Sequence, residues 1–303
     1  NQRMGGGTWV YLGTFDFDKG CNEFNRVVCT NKASRRGVVT TDAVRFGGGM
    51  GNIERGGYTS GFPRCLEGAR YYAQWAGAPY KVYGGRKGEN DYADDINTRS
   101  LMTNWLGGGS VYMPAKNGKH VPIELSLALH SDAGYNKDGK STVGSLAICT
   151  TDYNDGILNS GISRFTSKDF ARALRDNLVT DLTAQFGEFG KRYLWDRNYS
   201  ETRLPEVPSA ILEMLSHQNF PDMRIAQDPL GKFYIARSIY KTILRFVNSN
   251  HGTRYVVQPL APQNFSVTQN QGVALLSWTA QLDKTEPSAR PTSYIIYKAE
   301  GQG

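Results

Sequence analysis

The sequence predicts an α/β fold, a mostly parallel sheet with helices on both faces, flanked by partial β-sandwich segments. Three observations carry this. Between residues 63 and 247, apolar strand-like runs alternate with helix-periodic segments, as in units that cross over a parallel sheet. The first 46 residues hold β-branched runs separated by turns. The last 45 residues, after prolines at 259 and 262, return to strand-like alternation. The predicted organisation is a β segment over 1–48, an α/β domain over 49–252 and a second β segment over 259–303.

Taken in order, WVYLGTFDF (9–17), RVVCT (26–30) and GVVTTDAVRF (37–46) read as strands. So many strands in so short a span expose an apolar face that needs a partner sheet. Half of a sandwich is expected, its other half elsewhere in a longer parent. GGGMGNIERGGYTSGF (47–62) is a glycine-rich loop. It lacks both the Lys-Ser/Thr ending of a phosphate loop and the dinucleotide fingerprint, so turn-making is its expected role. PRCLEGARYYAQWAG (63–77) predicts a helix with Pro63 in its first turn and Gly77 at its end. KVYGG (81–85) predicts a short strand, and DDINTRSLMTNWLGGG (94–109) a helix closed by glycines.

VPIELSLALHSDAG (121–134) predicts a strand ending in a polar loop, and GSLAICTT (144–151) another. From about Ser167, the four-residue recurrence of Phe170, Leu174, Leu178, Leu182 and Phe186 predicts an amphipathic helix. VPSAILEMLSH (207–217) reads as a buried strand interrupted by a charge. In the last helix, from 228 to 249, Asp228 is the expected cap and Pro229 the first residue. VALLSWTA (273–280) and TSYIIYKA (292–299) alternate like strands.

The bulk numbers exclude several classes. Mean hydropathy is -0.48 and apolar residues make up 39%, a soluble folded composition. The net charge of +7 is diffuse, with no zinc-finger spacing or basic tract, so no nucleic-acid partner is predicted. No apolar run reaches 18 residues, which predicts no transmembrane segment. Cysteines stand at 21, 29, 65 and 149. No pair has Cys-x-x-Cys spacing, and a Cys21–Cys29 bridge and free thiols are both consistent with the pattern. The chain starts NQRMGGGTW, without a start methionine, so an excerpted or cleaved polypeptide is expected.

Three residues stand out chemically. Glu213 interrupts an apolar strand, where a carboxylate is costly unless paired or near a metal. A raised pKa would suit it to acid–base work, whereas an ion pair with Arg203 would make it structural. His130 ends an apolar strand, where α/β folds place ligands, and Asp132 follows on the same side. Glu67 lies in the first turn of its predicted helix, a position the helix dipole favours for any acid. His217, four residues after Glu213, is placed to line the same cleft. Glu and His are donors that catalytic zinc takes, but zinc needs about three protein ligands. His120, in a turn, and His251, in the linker, offer no convincing third.

The order of these motifs resembles the zinc-dependent N-acetylmuramoyl-L-alanine amidases with a His-Glu-His metal site. PRCLEGARYYAQWAG resembles the family helix carrying the glutamate ligand, which implies Glu67. DDINTRSLMTNW resembles a later segment with an Arg and an Asn, here Arg99 and Asn104. LSLALHSDAG resembles the strand end with a histidine ligand, implying His130. VPSAILEMLSHQNFPD resembles the strand and turn with the catalytic glutamate, implying Glu213, with Asn219 in the turn. Longer phrases, among them SGFPRCLEGARYYAQWAG and EVPSAILEMLSHQNFPDMR, are similar to secreted Bacteroidetes proteins, some labelled xanthan lyase. In these a golvesin-C-like sandwich precedes the matched region and fibronectin type III modules follow it. PLAPQNFSVTQNQGVALLSW resembles the start of such a module.

The resemblance implies Zn2+ as cofactor, peptidoglycan as partner and a secreted, periplasmic or cell-surface location. It also implies a third metal ligand, a histidine supplied by an upstream part of the same parent polypeptide. The expected function is hydrolysis of the muramoyl–alanine amide, with Glu213 as base and His217 as a donor to the oxyanion. Two alternatives are a non-catalytic envelope scaffold with an incomplete amidase-like domain and a polysaccharide lyase.

Overall fold

The computed structural model describes residues 15–20, 22–34, 36–41, 44, 67–87 and 89–298. The chain divides into two compact units, residues 1–108 with 116–120, and residues 109–115 with 121–303. Among the described residues, no helix is long and apolar enough to cross a membrane.

The first unit holds three helices, α1 (Ala69–Trp75), α2 (Tyr80–Tyr83) and α3 (Asp91–Gly107). The Asn90 side chain caps α3 by accepting from Ala93 N at 2.9 Å, and Asp91 and Asp94 favour its first turn. Ala73, Ala78 and Val82 form a small core with Tyr83, Leu101, Met102 and Trp105. Arg70 ties α1 to α3 through Asp91 (2.9 Å) and Asp95 (3.6 Å).

Two expectations change here. KVYGG is not a strand: Tyr80–Tyr83 makes a helical turn after Pro79, which Gly84 ends. Among the described residues from 15 to 44 there is no strand. Val27, Val28 and Val38 are exposed, and a strand without a partner has no ladder for its amides. Residues 9–14, the glycine-rich loop at 47–62, Cys21 and Cys65 lie outside the described residues. Cys29 is an exposed free thiol.

The second unit is built on a four-stranded sheet of β1 (Ser126–Asp132), β2 (Ser145–Cys149), β3 (Lys191–Asp196) and β4 (Ser209–Ser216), in the order β1-β4-β2-β3. Pairs β1–β4 and β2–β3 are parallel, and β2 runs antiparallel to β4. The sheet is therefore mixed, where a mostly parallel one was expected. The helices are α4 (Phe165–Phe186), α5 (Ser200–Arg203), α6 (Phe220–Gln227) and α7 (Pro229–His251).

One face of the sheet makes the main core. Phe170, Leu174, Leu178 and Leu182 of α4 and Tyr234 and Ile235 of α7 pack with Ala147, Cys149, Ala210 and Leu212. Each such side chain contributes about 1.5–3 kcal/mol of hydrophobic stabilisation, an upper estimate. Asp228 caps α7 by accepting from Leu230 N at 2.8 Å, and Gly252 closes it at φ 62°. His251 is the last residue of this helix and not part of a linker. The opposite strand face carries Ala128, Leu146, Ile148, Ile211 and Trp195.

A separate antiparallel hairpin follows, β5 (Gln263–Asn270) with β6 (Val273–Thr279). TSYIIYKA does not continue it, since its described residues 292–298 form no regular strand.

Candidate functional site

The second face of the sheet carries the acid–base cluster. Strands alternate their side chains, so His130 shares a face with Ala128, and Glu213 with Ile211. The parallel register sets His130 directly beside Glu213. His130 Nδ1 lies 3.7 Å from Glu213 Oε1. His130 Nε2 lies 3.0 Å from Glu201 Oε2, supplied by α5. Side-chain exposure is 32% for His130 but only 13% for each glutamate, so both carboxylates stand largely out of water.

Among the described residues, the basic group at ion-pair distance from Glu213 is the His130 imidazole, at 3.7 Å; its neighbours divide in sign. Burial pushes its carboxyl above the usual glutamate range, and Asp132 and Glu201 add to this, while His130 and Arg192 oppose it. Its Oε2 is buried and makes no hydrogen bond among the described residues. Arg203 is not its partner, because that guanidinium donates to Asn198 Oδ1 at 2.6 Å. Arg192 is committed to Asp132 at 2.7 Å.

The carboxyl ends of β1 and β4 are held by a buried polar frame. Asp222, fully buried, accepts from Val143 N (2.7 Å), Gly144 N (2.9 Å) and Ser216 N (3.1 Å). Asn219 donates to Asp222 Oδ2 (2.5 Å) and to Ser141 O (3.0 Å). Ser145 Oγ donates to Glu213 O at 2.9 Å, which fixes the backbone of the central glutamate. Gly144, at φ 81°, lies so close to Gly190 that a Cβ would meet its carbonyl oxygen at 1.8 Å. His217 also belongs to this end. Its backbone N donates to Asp132 O at 2.9 Å, and its Nδ1 lies 3.1 Å from Ser131 Oγ.

His130 and Glu213 are thus brought side by side, with His217 at the end of the same strand pair. Glu67 belongs to the first unit. It is buried and lies just before Gly68, the N-cap residue of α1, rather than inside the helix. Arg99 pairs with Asp95 at 3.3 Å, and His251 with Glu124 at 2.8 Å. Glu201 was not foreseen from the sequence. Its only signal is an acid in the single turn before the buried strand.

In donor chemistry this cluster fits zinc, which takes imidazole and carboxylate, and Glu213 Oε2 is a buried polar atom without a partner among the described residues. The spacings of 3.0 and 3.7 Å are those of hydrogen bonds and ion pairs, not of a shared ion. Among the described residues, no group of three His, Cys, Asp or Glu is arranged to hold a metal. A groove of about 790 Å3 lies elsewhere, between α7 and the C-terminal segment, with Phe233, Tyr240, Tyr294 and Tyr297 in its walls. Its one charged lining residue, Arg237, is ion-paired with Asp283 at 2.8 Å.

Neither a protein-family model nor a curated protein matches the sequence. Among solved structures the chain has distant likenesses to N-acetylmuramoyl-L-alanine amidases. The enzyme from Clostridium difficile 630 is 14% identical with a TM-score of 0.36, over 56% of this chain and 79% of that one. The enzyme from Mycobacterium smegmatis is 18% identical with a TM-score of 0.37, over 69% and 92%. The catalytic domain of CwlV from Bacillus (Paenibacillus) polymyxa is 13% identical with a TM-score of 0.32, over 55% and 89%.

Proposed function

We propose that this chain carries most of a zinc-dependent amidase domain that hydrolyses the N-acetylmuramoyl-L-alanine bond of peptidoglycan. One observation supports it above the others: Glu213 is a half-buried carboxyl with a raised pKa and an orphaned oxygen, set beside an imidazole. A structural glutamate would be paired with a cation. A carboxyl held short of one is suited to carry a proton.

His130 is the zinc ligand proposed in the second unit, with a further ligand from polypeptide upstream of residue 1. When bound, zinc would lower the pKa of a water and polarise the scissile carbonyl. Glu213 takes a proton from the attacking water and delivers it to the departing alanine nitrogen. Its burial raises its affinity for that proton, and the frame around Asp222 keeps it in place. His217, whose Nδ1 lies 3.1 Å from Ser131 Oγ and 3.2 Å from Ser131 O, is the proposed donor to the oxyanion. A secreted, periplasmic or cell-surface location goes with this substrate.

The test is zinc content and release of stem peptide from purified peptidoglycan, measured on this chain with and without the upstream segment. Bound zinc and release with that segment present are the expected result. Absence of both zinc and release in its presence rejects the reading and favours a scaffold role.

A further inference from the structure

Two loops leave the carboxyl ends of β1 and β4, just beyond His130 and Glu213, and they are stitched to each other. Gly134 N donates to Gln218 Oε1 at 3.0 Å, and Asn136 N donates to Asn219 Oδ1 at 3.2 Å. Asn219 is itself buried and donates to Ser141 O at 3.0 Å. Tyr135 lies between the two bonded residues of the first loop, and Phe220 follows Asn219 in the second. The backbone beneath both aromatics is therefore fixed, and both belong to the end of the sheet that carries the acid–base cluster.

Their side chains nevertheless stand in water. Tyr135 is 67% exposed and Phe220 is 74% exposed. One exposed apolar side chain needs no explanation. Two large rings raised on a locked frame at the strand ends do, because ligands of α/β sheets gather there. Aromatic rings offer much contact area for few rotatable bonds, and a rigid mount removes part of the entropy cost of binding. The charge beside them is mainly positive. Arg224 is one turn on from Phe220 in α6, so the two share a helix face. Lys137 follows Tyr135 by two residues. Both cations are exposed, and neither makes an ion pair among the described residues. The one exposed acid of the first loop, Asp138, is turned onto its own turn, where it accepts from Ser141 Oγ at 2.6 Å and Lys140 N at 2.9 Å.

We propose that Tyr135 and Phe220, with Lys137 and Arg224, form the ledge on which the site holds the part of its substrate remote from the scissile bond, and that this part carries carboxylates. The ring faces are slightly negative and pack against the C–H surfaces of sugars and side chains. The two cations pair with carboxylates by charge-assisted hydrogen bonds. The occupant is therefore a carboxylate-bearing glycopeptide. The inference rests on the amidase reading for that identity and adds which residues grip the chain and which charge they read. None of these residues moves a proton or holds a metal, so the ledge works in the metal-free chain.

The experiment is cosedimentation of the full chain, dialysed against chelator, with insoluble peptidoglycan whose stem carboxylates are either free or converted to amides. The unaltered chain should bind the free-acid form about tenfold more tightly than the amidated form, and less so as salt rises. Tyr135→Ala combined with Phe220→Ala should weaken binding to both forms about tenfold. Lys137→Gln combined with Arg224→Gln should erase the difference between the forms. Tyr193→Ala removes a ring that is 69% exposed on the edge strand β3, and should leave binding unchanged. Circular dichroism should show one fold throughout, since every altered side chain is exposed. No binding by the unaltered chain, equal binding to the two forms, or a Tyr193→Ala loss as large as that of the ledge pair overturns the proposal. A chain that binds in the expected pattern but releases no stem peptide with its upstream segment present loses the amidase reading and keeps the ledge. Release together with unchanged binding by the ledge variants does the reverse.

Discussion

Two groups of charges are buried in the second unit, and burial acts on them in opposite ways. Along α7, Asp181, Asp283 and Glu286 each have a cation. Lys241 bonds Asp181 at 2.8 Å and lies 3.5 Å from Asp283. Arg237 bonds Asp283 at 2.8 Å, and Arg245 pairs with Glu286. Burial pushes Asp283 and Glu286 up, but Arg237, Lys241, Arg245 and the Thr285 and Ser288 hydrogen bonds outweigh it and hold both below their ordinary ranges. On the β1–β4 face the sum comes out the other way. Glu213 is raised by burial and by two nearby acids, which outweigh the His130 imidazole at 3.7 Å and Arg192. The first group closes the 283–289 segment onto α7. In the second, burial and like charge favour the protonated form of Glu213, the kind of shift that marks a candidate acid–base site.

The largest expected effect breaks the paired network. Lys241→Met leaves Asp181 and Asp283 buried without their shared cation, and removing one partner of a buried pair costs about 3–5 kcal/mol. Urea unfolding followed by circular dichroism measures this. A loss under about 1 kcal/mol would mean that the network contributes little. Leu178→Ala, at the centre of the main core and fully buried, should cost about 2–5 kcal/mol by the same assay. It serves as the apolar reference for the charged deletion.

The next contrast is in pH. A carboxylate with a depressed folded pKa stabilises the fold above its unfolded value and loses that contribution as pH falls through the folded one. Asp283 and Glu286, with ordinary values of 3.8 and 4.5, therefore make the α7 network acid-labile below about those values. Glu213 has the opposite sign. Its raised pKa means that the folded state binds the proton more tightly, so its ionisation costs stability as pH rises above 4.5. Glu286→Gln should flatten the acid limb of a melting-temperature profile. Glu213→Gln, the smallest effect, should raise the midpoint at pH 7 and leave the acid limb in place. A lower midpoint at pH 7 for folded Glu213→Gln would place Glu213 among the structural charges.

Much of the second unit was legible in the sequence, because strong periodicity and caps leave little choice. The four-residue apolar spacing predicted α4, and Asp228-Pro229 marked the start of α7. The run SAILEMLS announced a buried strand with a misplaced charge, and the charge proved to face His130. What was not legible depended on neighbours. β3 is an edge strand whose Lys191 and Tyr193 are exposed, so it lacks an apolar signature. KVYG looked β-like by composition, but Pro79 and Gly84 bracket a turn of helix. Helix α6 was hidden in a segment read only as a turn. Glu201 could not be found by pattern, since its significance is a distance across the sheet.

The most direct test of the central claim is turnover by Glu213→Gln in the chain reunited with its upstream segment, with zinc content measured on the same sample. The carboxylate is assigned to proton transfer and not to holding the metal. The variant should therefore bind zinc as the unaltered protein does while releasing stem peptide about 10²–10⁴-fold more slowly. Release at the unaltered rate by the zinc-loaded variant would contradict the account.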